Sequence, residues 1–304
     1  MIVPTDVPMT SRLASMTVLE LALRYSLVRS RLLTVSPGGR PVRMLKIGQG
    51  ERKLIFSAAH HANEWITATL LLAMTEQYLA AISAGETLFG QDARELFQRN
   101  TLYIVPMMDP DGVDLVTGAI RPGSAEYDRA LEIAEGFPQI PFPQGWKADL
   151  QGIDLNLSYP AGWLQAREIK FAQGFDRPSP RDYVGPWPLF SPEPRALFDL
   201  TLAVEPELVI AWHTQGEVIY WQFQDIEVPG ARELAQTFSD ASGYSLEDTP
   251  YGSSFAGYKD WFIQRFTRPG FTVEAGLGEN PLPLEQLPRM LEQNIGIFIS
   301  ALVG

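Results

Sequence analysis

The chain has 304 residues, 45% of them hydrophobic and 20% charged, enough to bury a sizeable core. Its 36 acidic residues outnumber 24 basic ones, for a formal net charge of −12, which argues against nucleic acid and anionic membrane surfaces as partners. There is no cysteine, so disulfides and thiolate metal sites are excluded.

No run reaches the roughly 18 uncharged apolar residues of a membrane span. The first residues, MIVPTDVPMTSRLASM, lack the basic start and apolar block of a secretory signal, so a cytoplasmic location is expected. Thr17 to Val28 reads as an amphipathic helix opened by a Thr17/Glu20 capping box. RLLTVS and PVRMLKIG flank Pro37-Gly38-Gly39-Arg40 and predict a hairpin. KLIFSAA (53–59) is a buried-strand pattern that runs into His60-His61. NEWITATLLLAMTEQYLAAI follows, apolar on every side, and predicts a long buried helix. TLYIVPMM (101–108) is the next core strand, closed by a turn at Asp109-Pro110-Asp111-Gly112.

ELVIAWHT (207–214) and GFTVEAG (270–276) repeat one design, an apolar strand with a polar side chain near its C-terminal end, His213 in the first and Glu274 in the second. Helices are expected over 91–99, 124–135, 194–204, 229–242, 257–268 and 284–301. This alternation predicts a single-domain α/β fold, a mixed, largely parallel twisted sheet with helices on both faces and a site beyond the strand C-termini. Residues 1–36 are expected to pack as a helix and first strand on a body spanning 37–304, one domain overall. Residues 136–192, rich in Pro, Gly and Trp, read as a long excursion covering the site.

His61-Ala62-Asn63-Glu64 on a strand-to-helix turn lets an imidazole and a carboxylate converge on one ion, and His213 supplies a second imidazole. Two neutral imidazoles and one carboxylate form the open ligand set of a catalytic zinc. His60, four residues before Glu64, is the alternative to His61. Glu274 interrupts an apolar strand, and a carboxylate there is costly unless paired or poised for chemistry. The competing reading of Glu274 is a buried ion-pair partner of Arg265 or Arg268.

The segments HHANEWI, DPDGVD, GIDLN, HTQG and FTVEAG resemble the zinc carboxypeptidase family, in the family's order over residues 40–300. HANEWIT, DLNLSYPAGW, HTQGEVIYW, AGYKDWFIQRF and GFTVEAGLGENPLPL resemble its γ-D-glutamyl-L-diamino acid peptidase branch. The resemblance implies one zinc ion on His61, Glu64 and His213, with Glu274 as general base and acid. It also implies a peptide substrate, murein-derived, cleaved at the γ-D-glutamyl–meso-diaminopimelate bond. The alternatives are a metallocarboxypeptidase of other specificity and a non-catalytic, zinc-containing peptide-binding module. Three departures from the family pattern stand out. Asn156 is followed by Leu157 where the family has Arg, Gln151 stands where many relatives place an oxyanion-stabilising Arg, and Asn63 replaces Arg inside the HxxE motif. A neutral substrate region is therefore expected. Asn156, Gln151 and Asn63 are assigned to substrate binding, with Lys259 at the family's specificity position, Tyr220 on a pocket wall, and Tyr251 or Tyr258 as a mobile tyrosine.

Overall fold

The computed structural model describes residues 1–304. The first part of the chain forms α1 (Ser11–Arg24), β1 (Val28–Val35), β2 (Pro41–Gly48), β3 (Arg52–Ala58) and α2 (Ile66–Ala84). It continues through β4 (Thr87–Leu88), β5 (Gln91–Asp92), α3 (Ala93–Arg99), β6 (Asn100–Val105), α4 (Pro110–Val116) and α5 (Ala125–Glu135). The second half adds α6 (Trp163–Ala172), α7 (Pro192–Val204), β7 (Leu208–His213), β8 (Val218–Tyr220), α8 (Ala231–Ser242), β9 (Ser245–Glu247), α9 (Tyr258–Phe266), β10 (Gly270–Glu274) and α10 (Leu287–Val303).

Eight strands make one sheet in the order β1-β2-β6-β3-β7-β10-β8-β9. The central run β6, β3, β7, β10 is parallel, with antiparallel pairing at β1/β2, β2/β6 and β10/β8. Both faces are covered. One carries a core of 48 buried residues built with α1, α2, α8 and α10, and the other a core of 23 built with α6, α7 and α9. That is the layered α/β architecture the alternating pattern predicts, with α1 contributing to the larger core and β1 paired to β2. α2 belongs to the longest apolar helical stretch, Ala62–Ala84, which is 83% buried inside the protein.

Three local expectations are corrected. The first helix starts at Ser11, six residues earlier than read, capped by Thr10, whose hydroxyl accepts the Leu13 N–H; Thr17 is a buried mid-helix residue. Asp109-Pro110-Asp111-Gly112 is a helix start rather than a plain turn, since Asp109 caps α4 through the Gly112 N–H and Pro110 takes the first helical position. The 136–192 excursion contains a helix, α6, amid its Pro- and Gly-rich flanks.

Register sets the site. β3, β7 and β10 run side by side, Ala58 pairs with Trp212, and Glu274 pairs with His213. The three strands therefore end at one level, where the strand order reverses between β6 and β7 and a crevice opens. β3 leaves the sheet through Ala59, held at φ 46°, a strained conformation for a residue with a side chain. Its carbonyl accepts the Met108 and Asp109 N–H groups, and its own N–H donates to Thr67 Oγ1. α4 packs closely against this turn: a Cβ on Gly112 would sit 2.3 Å from the Ala148 carbonyl oxygen and 2.7 Å from Ala62 Cβ.

Candidate active site

His61, Ala62, Asn63 and Glu64 form a short 3-10 turn between β3 and α2. His61 Nδ1 lies 2.9 Å from Glu64 Oε1, and His213 Nδ1 lies 2.9 Å from Glu64 Oε2. The two imidazole nitrogens are 3.3 Å apart. Donors around a tetrahedral zinc with bonds of about 2.0–2.1 Å stand roughly 3.4 Å from one another. The triad's separations of 2.9 to 3.3 Å come within about half an ångström of that spacing, and its donors are those zinc prefers, so the residues fit the ion. The three ligand-type groups are buried and converge from two distant stretches of chain.

His60 is excluded from the cluster. Its Nε2 bonds Ser57 Oγ at 2.8 Å, and its buried ring stacks between His213 and Tyr258. Burial holds it neutral, well below the usual histidine range.

Asp154, unassigned in the sequence reading, orients His61. Its Oδ1 lies 3.1 Å from His61 Nε2, so Nδ1 is the nitrogen left to bind a cation. The same carboxylate accepts the Asn156 and Asp182 N–H groups. Burial opposes its charge, but His61, Lys147 and Lys170 hold the acid well below the carboxylate range. Glu64 behaves likewise, its burial outweighed by His61 and Lys147. His61 follows the same logic with the sign reversed: burial resists its charge, but Glu64 and Asp154 push it up to about 9. Glu274 differs, since burial and then the Glu64 charge push it up to about 8.

A cavity of about 230 Å³ opens over these groups. Its lining is charged rather than built of neutral side chains, contrary to the expectation from the missing arginines, with four carboxyl groups, Asp154, Asp182, Asp260 and Glu274, beside four cations. Lys147, Lys170, Arg181 and Lys259 all line it. Lys147 Nζ stands 2.9 Å from Glu64 Oε1, and the Lys147 backbone carbonyl accepts the Ala62 N–H, which ties the excursion to the metal-binding turn. Burial disfavours its charge, but Glu64 outweighs that and raises it above the ordinary lysine value. Asp182, next to a stretch of chain that pairs with Lys147 through the Pro180 carbonyl, is clamped between Lys170 Nζ at 2.6 Å and Arg181 Nε at 2.7 Å.

The remaining sequence-assigned residues divide. Asn156, Tyr220 and Lys259 line the cavity together with Glu274. Gln151 does not; it sits in a turn whose N–H donates to Asp149, and the nearby cation is Lys147, four residues earlier. Asn63 is buried with its amide on the Gln144 carbonyl, outside the cavity lining. Tyr258 is fully buried and bonds Thr201, so it is a packing residue rather than a mobile one. Tyr251 is 70% exposed and lines a neighbouring groove. The nearest signal for Lys147 in the sequence was its isolation: it is the one cation between Gly136 and Gln165.

Residues 19–296 match the family model described as zinc carboxypeptidase. The chain is 39% identical over 283 residues to gamma-D-glutamyl-L-diamino acid endopeptidase 1 of Lysinibacillus sphaericus, covering 93% of this chain and 69% of that protein. It is 35% identical to the uncharacterized protein YqgT of Bacillus subtilis (strain 168), over 91% of this chain and 73% of that one. Among solved structures, thrombin activatable fibrinolysis inhibitor superposes with a TM-score of 0.76 at 16% identity, over 97% of this chain and 73% of that one. Carboxypeptidase A from Helicoverpa armigera gives 0.73 at 17% identity, over 98% and 74%.

Proposed function

The chain belongs to the zinc carboxypeptidase family and is a zinc metallopeptidase, and we propose that it hydrolyses the γ-D-glutamyl–meso-diaminopimelate amide of murein-derived peptides. The observation that carries this reading is a His61–Glu64–His213 triad and a separate acid, Glu274, at one end of a cavity lined by four cationic side chains. Such peptides bring several carboxylates as well as an ammonium, and a lining that holds both cations and carboxylates can meet both. The likeness to a relative named for γ-D-glutamyl-L-diamino acid cleavage supports the same choice.

His61 Nδ1, the Glu64 carboxylate and His213 Nδ1 would hold the zinc. Bound there, the ion supplies a water of lowered pKa and polarises the scissile carbonyl. Glu274 takes a proton from that water as its oxygen bonds to the carbonyl carbon. It delivers the proton to the nitrogen as the carbon–nitrogen bond breaks, so the amine leaves neutral. Burial raises the Glu274 acid above the ordinary carboxylate range, the direction that a proton carrier working near neutral pH needs. Lys147, a cavity-lining cation in contact with Glu64, would stabilise the developing oxyanion, since Gln151 lies outside the cavity lining. Asn156 and Tyr220 orient the peptide. Arg181, with nitrogens left over after its Asp182 contact, supplies the charge that the family places at the Leu157 position.

The test is to incubate the zinc-loaded protein with L-Ala-γ-D-Glu-meso-diaminopimelate and look for L-Ala-D-Glu by mass spectrometry. Glu274→Gln should lower turnover by about 10²- to 10⁴-fold while the zinc content stays at one per chain. An intact peptide after prolonged incubation with the wild type would end this assignment of substrate.

A further inference from the structure

Just past β7, next to His213, lies Thr214, only 3% exposed. Its polar groups are all engaged. The backbone N–H donates to Glu64 Oε2 at 3.3 Å. The hydroxyl donates to Asn280 Oδ1 at 2.7 Å, and the carbonyl accepts from Asn280 Nδ2 at 3.0 Å. A carbonyl can only accept, so the Asn280 amide has one satisfied orientation, nitrogen to the carbonyl and oxygen to the hydroxyl. Asn280 is half-buried in the loop between β10 and α10 and stands outside the cavity lining, so it is no substrate contact.

This clamp sits where strand pairing has ended. β7 and β10 pair as far as His213 and Glu274. Beyond them the Ala275 N–H donates to the His213 carbonyl and the Gly216 N–H to the Gly276 carbonyl, both at 2.8 Å. Thr214 lies between these two bonds and is tied to the β10 side by the Asn280 side chain. We propose that Asn280 is a positioning residue for the metal centre: by pinning Thr214 it aims the Thr214 N–H at Glu64 and fixes the backbone of His213. Two of the three zinc-binding side chains are thereby held against the strand that carries Glu274. A carboxylate oxygen held by an N–H keeps its direction, so less order has to be imposed when the ion binds. Without Asn280 a buried carbonyl and a buried hydroxyl lose their partners. Thr214 would then turn toward water and take its N–H and the attached His213 with it. The role is independent of which amide is cleaved.

The experiment measures zinc affinity by competition with a chelator and needs no substrate. Asn280→Leu keeps the bulk of the side chain and removes both hydrogen bonds. It should weaken zinc binding about 10-fold, the low end for a group that supports a ligand from outside. Thr214→Val removes the hydroxyl alone and should weaken binding less. The double variant should match Asn280→Leu, because the two residues share one contact. Gln286→Ala is the control. Gln286 braces the same loop by bonding the Leu277 N–H at 3.1 Å and the Leu277 carbonyl at 2.7 Å, with no contact to Thr214. Its loss should lower the melting temperature of the metal-free protein and leave zinc affinity unchanged. Wild-type affinity in Asn280→Leu would overturn the proposal. An equal loss of affinity in Gln286→Ala would overturn it too, since Asn280 would then be a loop brace and nothing more. Should Asn280→Leu fail to fold, Thr214→Val decides, and undiminished affinity there removes the role.

Discussion

The molecule buries two groups of carboxylates, and they are treated in opposite ways. At the strand ends Glu64 and Asp154 face His61 and Lys147 and are held ionised, well below the carboxylate range. Asp109, Asp149 and Glu193, all fully buried, face mainly one another. Burial first, then the Asp149 charge, push Asp109 and Glu193 far up; burial, against the Ile153, Ser191 and Gln151 hydrogen bonds, pushes Asp149 up to about 6. Asp149 accepts the Gln151 and Ile153 N–H groups and the Ser191 hydroxyl, Asp109 accepts the Gly112 N–H, and the Glu193 oxygens have no partner. The first group is completed by cations and converging imidazoles, the second by protons. Acid count alone therefore does not make a metal site; convergence of neutral and anionic donors on one point does.

The comparison breaks most sharply at Lys147, the cation in contact with Glu64. Lys147→Met should lower kcat by about 10²- to 10³-fold, the usual consequence of removing one oxyanion donor. KM should move much less, because the loss falls on the transition state. Steady-state kinetics at saturating zinc decide it. A raised KM with unchanged kcat would make Lys147 a ground-state contact.

The two groups also differ in how visible they were in the sequence. His213 and Glu274 end apolar strands, where a polar side chain has no packing reason to be, and register brings them to one level; His61 and Glu64 follow on the turn that leaves β3 beside them. Lys147, Asp154 and Arg181 sit in the Pro- and Gly-rich excursion, which has no hydrophobic period to place them; only the fold strapping that segment to Ala62 does so. The expectation of a neutral site failed for that reason. Cations lost from the family's positions are supplied from neighbouring ones. Asp109 misled in another way, since a turn-forming sequence and a proline-started helix cap share the same residues.

The proton-completed group makes a pH prediction. Asp149 ionises at about 6 when folded and near 4 when unfolded. Between those values the folded state binds the extra proton, so this residue favours folding at low pH and its contribution is lost as pH rises through about 6. The loss at pH 8 is on the order of 3 kcal/mol. Asp149→Asn keeps the carbonyl acceptor for Gln151 and Ile153 and cannot ionise. It should therefore be more stable than the wild type at pH 8 and nearly equal at pH 4, read from urea midpoints. A stability difference that does not change with pH would show that the acid is already ionised in the folded state.

The smallest effect should come from Asp154, which acts through His61. Asp154→Asn keeps an oxygen for His61 Nε2 but turns an amide toward the Asp182 N–H, a donor facing a donor. The His61 ring then loses part of its orientation and basicity, and zinc affinity should fall about 10- to 100-fold, measured by competition with a chelator. Activity should return at saturating zinc, because the proton carrier Glu274 and the Lys147 ammonium are untouched. A carboxylate that served only to brace the Arg181–Asp182 segment would give a different result, with lower thermal stability, unchanged zinc affinity, and a kcat that added metal does not restore. The distinction matters for the two-group comparison. It separates an acid that stays charged in order to aim a ligand from one that stays charged only because lysines surround it.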